Sequence, residues 1–280
     1  MKLTKEQWNE VIEDFKNGLS LKELSEKYNC STQTISKNLR NLGIKNSKQL
    51  KWVDDTYFDF IDTEEKAYLL GFLIADGCIR KEKDKRSNSW LSTRICFANS
   101  VDDEDIIKLI HERICPNNKL QYVHNTKGAK NRKPQIIVQW TANHMVEILK
   151  NKYKILPNKT NDKEFEFPFD TIPEELHRHF VRGFMDGDGS INKSELRFAF
   201  TSEPFMNQIL SKFKELFENH KDSVWDFSYT ITSYEGKTTN YWTVFIPMGH
   251  GRDKLIKSYL YKDSSVYLER KYKKAYGKDK

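Results

Sequence analysis

The sequence predicts an α+β fold: two pseudo-symmetric αββαββα halves packed through one helix each, with antiparallel strand pairs, preceded by a small all-α domain. Three observations predict it. A short Gly-containing apolar segment occurs twice, at an offset of 112 residues that makes Gly71 equivalent to Gly183. The periodic segments that follow each copy come in the same order. Residues 1–44 carry helical spacing throughout. The domains that follow from this are 1–44, a linker 45–62, a first half 63–165 and a second half 166–280.

Composition bounds the answer. A chain of 280 residues has room for about two domains and an appendage. The 17 Phe, 13 Tyr and 6 Trp supply a core and argue against intrinsic disorder. The longest apolar run, Ala67–Ala75, is far short of a bilayer span, so no membrane association is expected. The start, MKLTKEQWNE, has no apolar signal region, so secretion is not expected. Four Cys without a Cys-x-x-Cys exclude a disulfide scaffold and a zinc ribbon and point to a reducing compartment. The net charge of +7 is compatible with nucleic acid but does not establish it.

The N-terminal elements come first. Thr4 with Gln7 fits a capping box, and Trp8, Val11, Ile12 and Phe15 form an apolar stripe. Gly18 stops that helix. Ser20 with Glu23 is a second capping box, and Leu21, Leu24 and Tyr28 mark a short helix. Asn29-Cys30-Ser31 turns the chain into a third helix, with Ile35, Leu39 and Leu42 inward and Gly43 closing it. Two short helices across a tight turn are the pattern of a helix-turn-helix, whose last helix enters the DNA major groove. Its outward residues, Thr32, Gln33, Ser36, Lys37 and Arg40, suit bases and phosphates. A three-helix packing unit with a polar face is the competing expectation.

Beyond the linker lies the repeat. Leu69–Ile79 reads LLGFLIADGCI and Val181–Ile191 reads VRGFMDGDGSI. Thr63-Glu64-Glu65 opens the first helix and Pro173-Glu174-Glu175 the second, with acids where the helix dipole favours them. A strand pair then ends near residues 97–100 or 200–202. Helices follow at Asp103–Ile114 and Pro204–Phe217. Hairpins end in Ile136–Trp140 and Tyr241–Ile246, and helices close each half at Asn143–Lys152 and Arg252–Tyr261.

Gly71 and Ala75 share one helix face, as do Gly183 and Gly187. Small residues at that spacing let two helix backbones touch. The two helices are therefore expected to pack about a pseudo-two-fold axis, with Asp76 and Asp188 meeting at one end. Each Asp sits at a helix C-terminus, before a glycine expected at C′. The dipole disfavours negative charge there, and two carboxylates repel. A divalent cation resolves both problems, and Mg²⁺ prefers carboxylates, backbone carbonyls and water. A simple Asp-Gly turn after a helix explains one copy less specifically, and does not explain two. Asp186 stands where the first copy has Ile74; being unrepeated, it is expected to support the helix end.

LLGFLIADG and VRGFMDGDG resemble the two motif copies of LAGLIDADG homing endonucleases. The resemblance covers the motifs, their spacing and the element order of residues 63–280. The N-terminal helix-turn-helix is an addition that some relatives carry. The resemblance implies a monomer whose two antiparallel sheets saddle duplex DNA, in a phage or bacterial cytoplasm or an organelle. It implies Mg²⁺, with Mn²⁺ as a substitute, held by Asp76 and Asp188 with help from the Ala75 and Gly187 carbonyls. Leu70 and Arg182 replace the small second residue of the motif, at a position off the tight seam. The family places a basic residue near each metal. Lys159 follows Asp76 by 83 residues and Lys271 follows Asp188 by 83, which makes them the candidates, with Arg270 the alternative in the second half. The implied reaction is hydrolysis of a phosphodiester on each DNA strand, aided by Lys159 and Lys271.

Basic residues mark the expected DNA surface. Arg80, Lys81 and Lys83 belong to a segment expected as a loop between strands, and Lys127, Lys130, Arg132 and Lys133 to a hairpin loop. Arg94, Gln139, Arg197 and Tyr229 are candidates on the sheets for reading base edges. Neither a nucleotide-binding G-x-x-x-x-G-K-[ST] nor a Gly-x-Ser-x-Gly elbow occurs. His111, Cys115, His177 and His179 are read as structural. Two alternatives stand beside the nuclease: an intron maturase that binds RNA on the same fold, and a transcription regulator with an inactive scaffold.

Overall fold

A computed structural model describes residues 3–16, 19–42, 44, 53–83, 90–124, 133–220, 230–235 and 240–277. The chain divides into two units, Met1–Val53 with Cys115–Asn118, and Asp54–Ile114 with Lys119–Lys280.

In the first unit, helices α1 (Lys5–Lys16), α2 (Leu21–Lys27) and α3 (Thr32–Asn41) pack around Val11, Phe15, Leu24, Ile35 and Leu39. Their starts are capped by side chains. Thr4 and Gln7 exchange hydrogen bonds, as do Ser20 and Glu23, and Ser31 accepts from the Thr34 amide at 3.1 Å. Asn29 takes the left-handed conformation that turns α2 into α3. Leu42 does not face inward; it is 59% exposed. Helix α3 ends at Asn41, and Ile44, two residues past the Leu42 cap, packs on the core instead. Gly18 and Gly43 lie outside the described residues.

The second unit is the α+β body. Its first half runs α4 (Glu64–Ala75), β1 (Gly77–Lys83), β2 (Trp90–Ser100), α5 (Glu104–Ile114), β3 (Gln121–Val123), β4 (Gln135–Thr141) and α6 (Asn143–Asn151). Its second half runs α7 (His177–Asp188), β5 (Gly189–Ile191), β6 (Glu195–Phe200), α8 (Glu203–Glu218), β7 (Thr230–Glu235), β8 (Asn240–Pro247) and α9 (Arg252–Tyr261), and adds α10 (Glu269–Tyr276). Each half folds one antiparallel sheet of four strands. The orders are β1-β2-β4-β3 and β5-β6-β8-β7, the same topology twice.

Helices α4 and α7 pack against each other and fill the centre. Residues Ala67 to Ile74 of α4 are all buried, so this helix has no polar face. Strand alternation points Ile136, Val138 and Trp140 of β4 and Leu196, Phe198 and Phe200 of β6 into the core. The rings of Tyr68, Phe72, Phe97 and Trp140 stack in succession from α4 across the first sheet. Phe165, Phe184, Phe200 and Phe205 form the corresponding cluster in the second half.

Three local expectations change. Glu174–Leu176 forms a 3-10 turn, and α7 proper starts at His177. Gly77 follows the Asp76 cap at C′ as expected, but Gly189 is itself the cap of α7 with φ −89°, and neither glycine has positive φ. They are small because the chain folds back on the helix, where a Cβ on Gly77 would meet the Leu73 carbonyl oxygen at 2.6 Å and one on Gly189 that of Met185 at 2.5 Å. Finally, Arg80 to Lys83 are strand, not loop, since β1 pairs with β2 from Gly77 to Lys83.

Candidate active site

The site starts from a helix crossing. A Cβ on Gly71 would lie 2.0 Å from the Phe180 carbonyl oxygen, and one on Gly183 would lie 2.0 Å from that of Tyr68. Tyr68 and Phe180 are themselves equivalent under the 112-residue offset, so the contacts exchange as a two-fold axis requires. Further along, a Cβ on Gly187 would lie 2.2 Å from the Ala75 Cβ and 3.5 Å from the Asp76 carboxyl carbon. The two backbones touch at glycine, and the helix ends arrive together with their aspartates.

Asp76 caps α4 and is half-buried; Asp188 ends α7 and reaches solvent. Asn99 of β2 donates to Asp76 Oδ2 at 2.6 Å, while its own Oδ1 is buried and meets no partner. Burial raises the Asp76 pKa, against the Asn99 hydrogen bond and the charges of Lys271 and Lys159. Asp188 is pushed up to about 6, first by desolvation among the surrounding protein and next by the Asp76 charge. Because Asp188 is solvent-exposed, its desolvation is that of an open recess and not of a closed core. That recess, of about 350 Å³, runs from Asp188 past Ser190, Arg197, Thr243 and Phe245 on the outer face of the second sheet. A cavity of about 500 Å³, lined by Lys163, Thr201, Asn207 and Trp242, touches neither aspartate and is set aside as a site.

Lys159 and Lys271 are buried at the same helix ends. Lys159 sits in the 3-10 turn Lys159–Asn161 after α6, with Asn158 at φ 60° before it. Its Nζ donates to the Ala75 carbonyl at 3.2 Å. Lys271 projects from α10 and donates to the carbonyls of Met185 (3.0 Å), Gly187 (3.3 Å) and Gly189. Ala75 and Gly187 are equivalent under the offset, so each ammonium holds the same carbonyl of its own half. Burial lowers both lysines, Lys271 to about 8, against the pull of the nearby aspartates. Arg270 is committed elsewhere, pairing with buried Asp103 at 2.6 and 2.9 Å.

The donor set fits a hard divalent cation. Two carboxylates, two backbone carbonyls and the orphaned Asn99 oxygen are all oxygens. Among the described residues, no three His, Cys, Asp or Glu side chains gather at one point. An ion here would therefore complete its shell with water or substrate oxygens, as Mg²⁺ commonly does.

Other candidates fall into place around this centre. Thr32, Gln33, Lys37 and Arg40 are exposed on α3 and Ser36 is half-exposed. On the sheets, Arg80 pairs with Arg94 across β1 and β2, and Arg197 lies over the Phe245 ring at 5.8 Å. Arg94 pairs in turn with Thr141, and Gln139 with Cys96, on the same face. Lys133 is engaged by Asp102. Lys81 and Lys83 belong to β1, but their side chains lie outside the described residues, as do Lys127, Lys130, Arg132 and Tyr229 altogether. His177 Nε2 faces the Phe169 and Ile172 carbonyls, and His179 Nδ1 meets Arg182.

Asn99 and Arg182 were missed from sequence, and Asp186 was expected only to support its own helix end. Asn99 was open to detection, because it is a polar residue at an inward position of the Ile95-Phe97-Asn99 alternation. Arg182 and Asp186 were not, since their partners come from distant segments. Asp186 is fully buried and accepts from Tyr68 Oη (2.9 Å), Tyr261 Oη (3.0 Å) and the Leu268 amide (2.8 Å). It thus fixes the start of α10, which carries Lys271.

No protein-family profile and no curated protein matches the chain. Several solved structures do. The homing endonuclease I-DmoI, in a structure of mesophilic variants, is 16% identical with a TM-score of 0.44, covering 74% of this chain and 98% of its own. I-DmoI in complex with DNA and Mn is 17% identical at 0.43, covering 72% and 98%. I-SmaMI bound to uncleaved DNA target with calcium ions is 12% identical at 0.36, covering 74% and 84%.

Proposed function

We propose that this chain is a site-specific, divalent-metal-dependent DNA endonuclease of the homing type, with one catalytic aspartate for each strand. The observation that carries the reading is the pairing, twice over, of an aspartate at a helix end with a buried lysine on the preceding carbonyl. Each buried ammonium costs desolvation free energy, which the helix-end carbonyls and the neighbouring carboxylates offset together, and a plain Asp-Gly turn needs neither lysine.

In this reading, Asp76 and Asp188 hold Mg²⁺ or Mn²⁺ with the Ala75 and Gly187 carbonyls. The ion supplies Lewis acidity at a phosphate oxygen and at water. Lys159 and Lys271 place positive charge beside the scissile phosphates and stabilise the charge that develops there. Asn99 orients Asp76, and its unpartnered Oδ1 adds an oxygen donor to the set that would hold the ion. The outer sheet faces, with Arg80, Arg94 and Arg197, carry the duplex. Unit 1 presents Thr32, Gln33, Ser36, Lys37 and Arg40 of α3 to flanking DNA. The chain acts as a monomer, because each half brings its own aspartate and lysine.

The test is cleavage of a duplex that joins the sequences flanking the gene, with Mg²⁺ or with chelator. The expected result is a discrete double-strand cut, absent with chelator and in Asp76→Asn and Asp188→Asn. Folded protein that binds duplex but cuts nothing would move the reading to a regulator. Binding to intron RNA alone would move it to a maturase.

A further inference from the structure

Cys78 and Cys96 take no part in the chemistry above. They are direct partners in the register of β1 and β2. Opposed residues of an antiparallel pair have Cα atoms about 4.5 or 5.5 Å apart and side chains on the same face. Both separations fall in the roughly 4.4–6.8 Å window of a disulfide. Both residues are free thiols; Cys78 is half-exposed and Cys96 is buried. Arg80 and Arg94 follow the pair at the next same-face positions of β1 and β2. One sulfur is thus reachable from solvent, and the other waits behind it. Of the remaining cysteines, Cys30 lies in the N-terminal helical unit and Cys115 is fully buried.

We propose that Cys78 and Cys96 form a reversible redox site, closing to a cross-strand disulfide on encounter with a low-molecular-weight disulfide of the glutathione type. The Cys78 thiolate attacks one sulfur of the oxidant, whose S–S bond breaks and releases one thiolate. The Cys96 thiolate then attacks the Cys78 sulfur, breaks the mixed disulfide and releases the second. The two cysteines lose two electrons and two protons, and the oxidant becomes two thiols. Cys78 is two residues beyond Asp76 on the strand that leaves it, so closure would tie that strand to β2 next to the aspartate.

The test uses the full chain, chelated of metal and exposed to oxidised glutathione. It is then quenched in acid, alkylated when unfolded and mapped by mass spectrometry. Reactive thiols should fall from four to two, with Cys78 and Cys96 peptides linked, no glutathione retained, and all four restored by dithiothreitol. Cys96→Ala should instead keep one glutathione on Cys78. The proposal fails if four thiols survive, if the native chain keeps glutathione on Cys78 unclosed, if the link involves Cys30 or Cys115, or if Cys96→Ala gains no adduct. The readout is thiol chemistry alone, so it stands apart from whether the chain cuts DNA.

Discussion

Arg182 lies off the glycine seam of α7, yet it is fully buried. Its guanidinium donates to Glu64 (2.7 Å), His179, Ser264 and the Leu260 and Val266 carbonyls. Glu64 also accepts from the Ser265 and Val266 amides. On balance these contacts hold its pKa down, although burial pulls the other way. Removing one partner of such a pair leaves a charge buried alone. Glu64→Ala should therefore cost about 3–5 kcal/mol in urea unfolding, and Glu64→Leu with Arg182→Leu should recover much of it. Asp188 makes the opposite prediction. Its raised pKa means the folded state holds a proton that the unfolded state releases, so its contribution to stability is lost as pH rises from about 4 to about 6. In chelated protein, Asp188→Asn should raise the melting temperature at pH 7 and change it little at pH 4. Equal gains at both pH values would mean that Asp188 suffers no such repulsion. Asp76 and Asp188 could be singled out from the repeat, and Lys159 and Lys271 only through the family resemblance, with their matched spacing as support. Asp186 and Arg182 could not be understood that way, because all their partners but His179 lie 75 to 118 residues off in the chain.

At the scale of elements, α4 and α7 are held by contact between backbones. Gly187 faces the Ala75 Cβ, so Gly187→Ala inserts a methyl group where only 2.2 Å is free. It should destabilise by about 1–3 kcal/mol, and Ala75→Gly in the same chain should relieve it, as measured by a double-mutant cycle. At Gly71 and Gly183 the obstacle is a carbonyl oxygen of the other helix, so no single side-chain change should rescue alanine there. The four-residue spacing of small residues made this seam legible before any coordinates. Gly77 stands at C′ as its sequence position suggests, whereas Gly189 is itself the cap of α7; at both, the missing side chain serves close passage of the strand over the helix, which Asp-Gly alone does not reveal.

For the molecule as a whole, the proposed function divides the charge between two surfaces. On that reading, duplex binding should weaken steeply with salt, because neutralised phosphates release counterions. Gln33→Ala with Lys37→Ala and Arg40→Ala should lower affinity and the salt slope without changing the cleavage rate at saturating DNA. Unchanged affinity would remove α3 from the interface. The sequence alone determined the α+β class, the order αββαββα in both halves and most helix limits, Arg252–Tyr261 among them. These are local properties: periodicity, caps and a duplicated motif. What only the tertiary structure decided is which groups meet. The burial of Lys159 and Lys271 on equivalent carbonyls, the restraint of Asp76 by Asn99 and the opposition of Cys78 and Cys96 all depend on strand register and helix crossing. Those are set by the packing of the whole core, and no window of the sequence contains both partners.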